Sequence, residues 1–198
     1  MVKFRHRHGF VKEAEDYAAE FRLELGISAV GPICPFGLCE HLDVVVRPLS
    51  SDPGISEEVK HHFRNEGRNR FSATTLFNGP YAEIVYNDWH PQVRVHSSVM
   101  HELAHVLLMH PPRPPLLETG CRHFDARMEK EANDLGWIIL VPKPAALHAL
   151  ENFADIPKAA EFYGVSTQLL EYRVRKSDAR RWKANREAKG LGPSPRII

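Results

Sequence analysis

Two histidines four residues apart, with a glutamate directly after the first, are the residues of this chain best suited to chemistry. They form the run His101-Glu102-Leu103-Ala104-His105. In a helix, residues i and i+4 lie one above the other on the same face, so both imidazoles can bind one zinc ion. Glu102 then reaches the attacking water instead of the metal. The pattern therefore predicts a zinc peptidase with Glu102 as general base.

The segment around this motif has the pattern of a helix. Apolar residues recur at helical spacing, at Val99, Leu103, Val106 and Leu107. No glycine or proline interrupts residues 93–110, and Pro111-Pro112 then ends the segment. The two histidines are thus predicted to lie in the middle of a helix, where their relative position is fixed.

A catalytic zinc site needs a third protein ligand and an open position for water. A second predicted helix, from about Met128 to Leu140, supplies two candidates. Glu131 shares its face with apolar residues, and a carboxylate there is costly to bury unless it is paired or binds a metal. Glu129 shares its face with more polar neighbours. We therefore predict Glu131 as the third ligand, with Glu129 as the alternative.

Other polar residues leave further roles open. On a continuous helix His110 is turned about 140° from His105, so it is predicted to point away from the metal. His123 is predicted to lie in or near a loop, on the surface. Asn133 and Asp134 either support a ligating imidazole or lie on a helix surface. Three residues are open candidates for stabilising the oxyanion: Tyr86, His90 and Tyr172.

Taken together, these motifs resemble the ImmA/IrrE family of metallopeptidases. The resemblance is carried by the His101–His105 run, Glu131-Ala132-Asn133, Leu140-Val141-Pro142, Pro35-Phe36-Gly37-Leu38 and Gly164-Val165-Ser166. It extends from about Phe21 to about Lys176. The resemblance implies a site-specific endopeptidase whose substrate is a DNA-binding repressor of helix-turn-helix type. The stretch before His101 departs from the family pattern, which bears on substrate choice more than on the metal site.

Composition and charge limit the number of domains and the kinds of partner that the chain can have. The chain has 198 residues, 43% of them hydrophobic, and a net charge of +1, which predicts one domain with a proper core and no global electrostatic partner. The N-terminus lacks the apolar region of a signal peptide, and no apolar run approaches the roughly 20 residues of a membrane span. Three cysteines show no metal-binding spacing. We expect a cytoplasmic protein with reduced thiols and no membrane partner.

The predicted elements form a mostly helical α+β fold, zincin-like, with a small antiparallel sheet packed on the active-site helix. The predicted strands are Leu42–Arg47, Phe71–Phe77 and Tyr81–Tyr86, of which the last two flank the turn Asn78-Gly79-Pro80. We expect Tyr81–Tyr86, just before the active-site helix, to form the exposed edge that holds an extended substrate. Specificity is expected from the proline-rich segment 111–121 and from residues 51–70.

The C-terminal part leaves an alternative function open. Residues 1–176 are predicted to form the peptidase domain, including a helix-turn-helix-like pair at about 157–175, and residues 177–198 a flexible basic tail. From Arg173 onwards there are nine Lys and Arg against two acidic residues. The alternative is a regulatory protein- or DNA-binding module with a structural or vestigial zinc site. Glu102 favours the enzyme, because a structural site needs no general base.

Overall fold

A computed structural model describes residues 6–79, 81–111 and 125–192. Its helices are α1 (Phe10–Glu24), α2 (Pro35–His41), α3 (Glu57–Arg64), α4 (Gln92–Leu107), α5 (Ala126–Leu140), α6 (Lys143–Asn152), α7 (Ile156–Tyr163), α8 (Thr167–Lys176) and α9 (Ala179–Ala188). Its strands are β1 (Val45–Pro48), β2 (Ala73–Asn78) and β3 (Tyr81–Tyr86). These elements confirm the predicted α+β, mostly helical fold. In the described part of the chain, no helix is both long and apolar enough to cross a membrane.

Helices α4 and α5 pack directly against each other in the core. The face of α4 that carries Val99, Met100 and Leu103 is fully buried. Gly136 of α5 lies against this face, and a Cβ there would come within 3.0 Å of the Met100 carbonyl oxygen. A glycine inside a helix costs about 1 kcal/mol relative to alanine. Here it permits the close approach of the two helices that carry the candidate site.

The sheet differs from the prediction in two respects. Its strand order is β1-β3-β2, with β1 parallel to β3 and β2 antiparallel to β3. The sheet is therefore mixed, and only the β2–β3 hairpin is antiparallel as expected. The prediction that Tyr81–Tyr86 forms the edge is wrong, because Val45 and its neighbours pair along the other side of this strand. Within the described residues, β2 is the edge strand that lies against α4.

A buried arginine ties α1 to the end of α5. The side chain of Arg22 is 1% exposed and donates hydrogen bonds to the carbonyl oxygens of Ala18, Gly31, Ile139 and Leu140. The carbonyls in the last turn of a helix have no partner within that helix. Burial lowers the pKa of Arg22 to about 10, so the guanidinium stays charged at neutral pH.

The C-terminal helices follow the prediction up to α8 and then depart from it. Gly164, at φ 62°, ends α7, and the hydroxyl of Ser166 accepts a hydrogen bond from the Leu169 N–H at the start of α8. Beyond them, part of the predicted flexible tail forms α9. Lys183 donates to the Leu150 carbonyl at 3.0 Å, and Lys143 lies 3.7 Å from the centre of the Trp182 ring. These contacts hold α9 against α6, whereas the composition of this segment predicted a flexible, solvated tail.

Candidate metal centre

Helix α4 brings the two histidines of the motif together. The Nε2 atoms of His101 and His105 are 3.1 Å apart, and the rings meet at 80°. Two nitrogens bound to one tetrahedral zinc at about 2.05 Å would lie about 3.3 Å apart. The imidazoles therefore already converge as two ligands of one ion must.

A carboxylate from α5 completes this group. The Oε2 of Glu129 lies 3.4 Å from the Nε2 of His101, and its Oε1 lies 3.3 Å from the Nε2 of His105. The three potential ligand atoms all lie within 4.8 Å of one another. The side chains are only 10–19% exposed. Two imidazole nitrogens and one carboxylate oxygen form a donor set that zinc accepts.

Glu131, the predicted third ligand, does not lie in this group. Its Oε1 lies 3.4 Å from the Arg127 Nε, and its Oε2 lies 4.0 Å from the Nε2 of His110. Two residues correspond to about 200° on a helix, so only one of Glu129 and Glu131 can face α4. The burial expected for Glu131 is present, at 7% exposure, but it reflects packing beside Arg127 and His110. Glu129, the alternative, faces the histidines.

His110 lies outside the group of three potential ligands, but it contacts the ring of one of them. Its Nδ1 lies 2.9 Å from the Nδ1 of His105, on the side of that ring opposite the metal group. Helix α4 ends at Leu107, and Met109 adopts a left-handed conformation at φ 51°. The chain therefore turns back, and the rotation of 100° per residue no longer applies. A ring contact at this position is typical of a residue that orients a metal ligand. His123 and the segment 112–124 lie outside the described residues.

The proposed general base is held by the edge strand. The hydroxyl of Thr75 in β2 donates to the Oε2 of Glu102 at 2.8 Å. Sequence reasoning missed Thr75, since nothing in its local sequence signals a contact with α4. Glu102 lines a hollow of about 360 Å³, which we call the metal hollow. Its lining is formed by Ser72, Ala73, Ser97, Ser98, His101, Glu102, Glu129, Asn133 and Trp137.

Asp134 lies in a buried cluster next to this hollow. The hydroxyl of Tyr172 donates to its Oδ1 at 2.7 Å, while Lys130 and His6 contact its Oδ2. Burial by itself raises the pKa of Asp134, but the hydrogen bonds from Lys130 and Tyr172 outweigh it and leave the pKa below its ordinary value. Burial and the adjacent carboxylate raise the pKa of Tyr172. Tyr172 therefore stays protonated and donates to Asp134.

The other candidates for stabilising the oxyanion have structural contacts. Tyr86 packs edge-on against Phe36, with ring centres 5.4 Å apart. The Nε2 of His90 lies 3.0 Å from the Phe71 carbonyl oxygen. None of the three candidates lines the metal hollow, whereas Asn133 does.

Comparison with known proteins identifies one family. Residues 39–175 match the family model Peptidase_M78, described as the IrrE N-terminal-like domain. The match covers more than half of the chain and includes Thr75, Glu102, Glu129 and both histidines of the motif. Comparisons with curated proteins and with solved structures found no match.

Proposed function

Because the chain belongs to the IrrE N-terminal-like peptidase family, we propose that it is a zinc-dependent, site-specific endopeptidase. The proposed metal ligands are His101, His105 and Glu129, and the proposed general base is Glu102. The observation that carries the proposal is the convergence of two imidazoles and one carboxylate beside a further glutamate in an open hollow. A structural zinc ion normally binds four protein ligands, and such a site does not need an additional carboxylate as general base.

Each part of the site has its own role in the proposed hydrolysis. When bound, zinc supplies a Lewis acid that lowers the pKa of water and polarises the scissile carbonyl. Thr75 donates to the Oε2 of Glu102, which leaves Oε1 to take the proton as the water oxygen attacks the carbonyl carbon. As the carbon–nitrogen bond breaks, Glu102 passes this proton to the leaving amine. The second proton of the water stays on the new carboxyl group until it passes to the amine, so the products are a carboxylate and an ammonium group, and Glu102 returns to its starting state.

The position of β2 indicates how a peptide would bind. Among the described residues β2 is an edge strand beside the metal hollow, so the backbone groups on its outer side can pair with an extended substrate. Its residue Ala73 lines the hollow, and Thr75 contacts the general base. We propose that the substrate lies along β2, with its scissile bond between Glu102 and the three ligands.

We further propose that the substrate is a DNA-binding repressor of helix-turn-helix type, cleaved in the cytoplasm. The support for this step is the resemblance to ImmA/IrrE peptidases. A cytoplasmic peptidase without narrow specificity would damage other proteins. We therefore expect this enzyme to act on a single class of substrate.

Metal content and cleavage together test the proposal. We expect one zinc per chain in the wild-type protein, none in Glu129→Ala, and one in both Glu131→Ala and Glu102→Gln. Glu131→Ala is the matched control, because it removes a buried carboxylate two residues away on the same helix. Wild-type protein without zinc, even after zinc is added during purification, would overturn the proposal.

Cleavage is measured by mass spectrometry on helix-turn-helix repressors encoded near this gene. The wild-type protein is expected to cut one of them at a single bond, and Glu102→Gln is expected to leave it intact. A protein that uses zinc only as a structural ion would not change with Glu102→Gln.

A further inference from the structure

A second hollow lies next to the metal hollow and shares part of its wall. It has a volume of about 380 Å³, and we call it the α8 hollow because α8 supplies most of its other lining. Ser97 of α4 and Trp137 of α5 line both hollows. A peptide that occupies the metal hollow can therefore extend past these two residues into the α8 hollow.

Contacts with Tyr172 and Asp134 hold the Trp137 side of the shared wall in place. The rings of Trp137 and Tyr172 meet edge to face, with centres 4.8 Å apart. The Tyr172 hydroxyl donates at 2.7 Å to Asp134, which is 8% exposed. An aromatic pair anchored to a buried carboxylate forms a preorganised surface, which lowers the entropy cost of binding a ligand.

Helix α8 presents a polar face to this hollow. Gln168, Glu171, Tyr172 and Arg175 follow one another at positions i, i+3, i+4 and i+7, so they share one face. The opposite face is buried through Leu169, Leu170, Arg173 and Val174. The side chains of Gln168, Glu171 and Arg175 are exposed. The core thus determines the orientation of α8 and leaves a row of exposed side chains beside the cleft.

Two basic side chains lie beside this end of the cleft. Arg175 lines the α8 hollow, and Arg94 donates at 3.0 Å to Ser72, which lines the metal hollow. Glu171 is the one acidic residue among those that line the α8 hollow. In the described part of the chain, no side-chain ion pair within 4.0 Å joins Arg175 to an acidic residue. The guanidinium carbon of Arg175 lies 5.7 Å from the centre of the Tyr172 ring, a contact with the face of the guanidinium that leaves its N–H groups available to a carboxylate from outside.

We infer that α8 forms a specificity subsite that takes an acidic side chain of an extended substrate and pairs it with Arg175. The inference rests on the proposed peptidase function and names a feature of its substrate. In this role the second helix of the helix-turn-helix-like pair contacts a peptide.

Selection from a peptide library tests the subsite without a known substrate. A displayed library of random twelve-residue peptides is selected on zinc-loaded, full-length Glu102→Gln protein, which is expected to bind without cutting. We expect Asp and Glu to be enriched about three- to fivefold at one position of the aligned peptides, the effect of a solvent-accessible ion pair. Adding Arg175→Glu should abolish this enrichment or turn it into a preference for Lys and Arg.

Arg181→Glu, in the same background, is the matched control. Arg181 is an exposed arginine of α9 that lines neither hollow, so the same change of charge should leave the enrichment as it was. Circular dichroism checks that both variants melt like their parent. An acidic preference that survives Arg175→Glu, or the absence of any acidic preference, would overturn the subsite.

Failure of the subsite is distinguishable from failure of the peptidase proposal. The selected peptides are afterwards incubated with protein that retains Glu102. Peptides that are acid-selected through Arg175 but are never cut support the subsite and count against the peptidase. Cleavage without an acidic preference overturns the subsite and leaves the peptidase standing.

Discussion

The hydroxyl of Thr75 lies 2.8 Å from the Oε2 of Glu102, so the edge strand of the sheet holds the proposed general base of the neighbouring helix. This contact holds one carboxylate oxygen of Glu102, a residue that also lines the metal hollow. It also joins the two elements that matter most for catalysis, since β2 would bind the substrate and Glu102 would move the proton. A hydrogen bond to a charged group is worth about 1.5–3 kcal/mol.

Replacing Thr75 by valine should slow hydrolysis without weakening metal binding. Valine keeps the shape of the side chain and removes the donor, so we expect kcat to fall about tenfold or more, with KM and zinc content unchanged. Thr75→Ser restores the hydroxyl and should recover most of the rate. Steady-state kinetics on a cleaved repressor measures both parameters. Equal kcat values for valine and threonine would remove Thr75 from the mechanism.

Replacing His110 by phenylalanine should weaken zinc binding. The ring of His110 meets the Nδ1 of His105 at 2.9 Å, and loss of a residue that orients a metal ligand lowers affinity by about 10–100-fold. Competition with a chromophoric chelator measures the zinc Kd. His61→Phe, an exposed change on α3, serves as control and should leave the Kd unchanged. An unchanged Kd in the His110 variant would contradict the orienting role.

Replacing Arg22 by methionine should destabilise the fold. Methionine has similar length but no donor, so four buried carbonyl groups lose their shared partner. We expect the free energy of unfolding to fall by at least about 2 kcal/mol, since one unsatisfied buried group costs about 1–3 kcal/mol. Urea denaturation measures the difference. Lys12→Met, on the exposed side of the same helix, should change it by less than about 0.5 kcal/mol.

Stability should decrease in mild acid because of His148. This side chain is 3% exposed, its Nδ1 lies 3.0 Å from the Tyr163 hydroxyl, and burial lowers its pKa below the ordinary value of 6.5. Below about pH 6.5 the unfolded chain takes up a proton at His148 that the folded protein does not bind. The free energy of unfolding should therefore fall as the pH drops from 6.5 towards the lowered pKa, and this contribution should be constant above 6.5.

The measurement compares urea denaturation of wild-type and His148→Gln protein at pH 7.5 and pH 5.5, both without metal. The other titrating groups are shared by the two proteins, so the loss of stability between the two pH values should be larger for the wild type. Equal losses would show that His148 does not contribute.

Much of the local structure follows from the sequence because it depends on local rules. Helix α4 and the β2–β3 hairpin lie within a few residues of their predicted positions. Helical periodicity places one imidazole of the motif above the other, and this spacing allows their Nε2 atoms to approach to 3.1 Å. The start of α8 at Ser166 also depends on a local contact, because the serine hydroxyl accepts a hydrogen bond from the N–H three residues on.

Tertiary structure determines the contacts between segments that are far apart in sequence, which local rules cannot predict. Glu129 and Glu131 lie on the same helix, and only the way α5 packs on α4 determines which of them meets the histidines. His110 contacts His105 because the chain reverses at Met109, after the helical repeat has ended. Strand β2, not β3, forms the edge because β1 pairs with β3 from a distant part of the chain. Periodicity tells which residues share a face, but the partner of that face depends on packing between segments far apart in sequence.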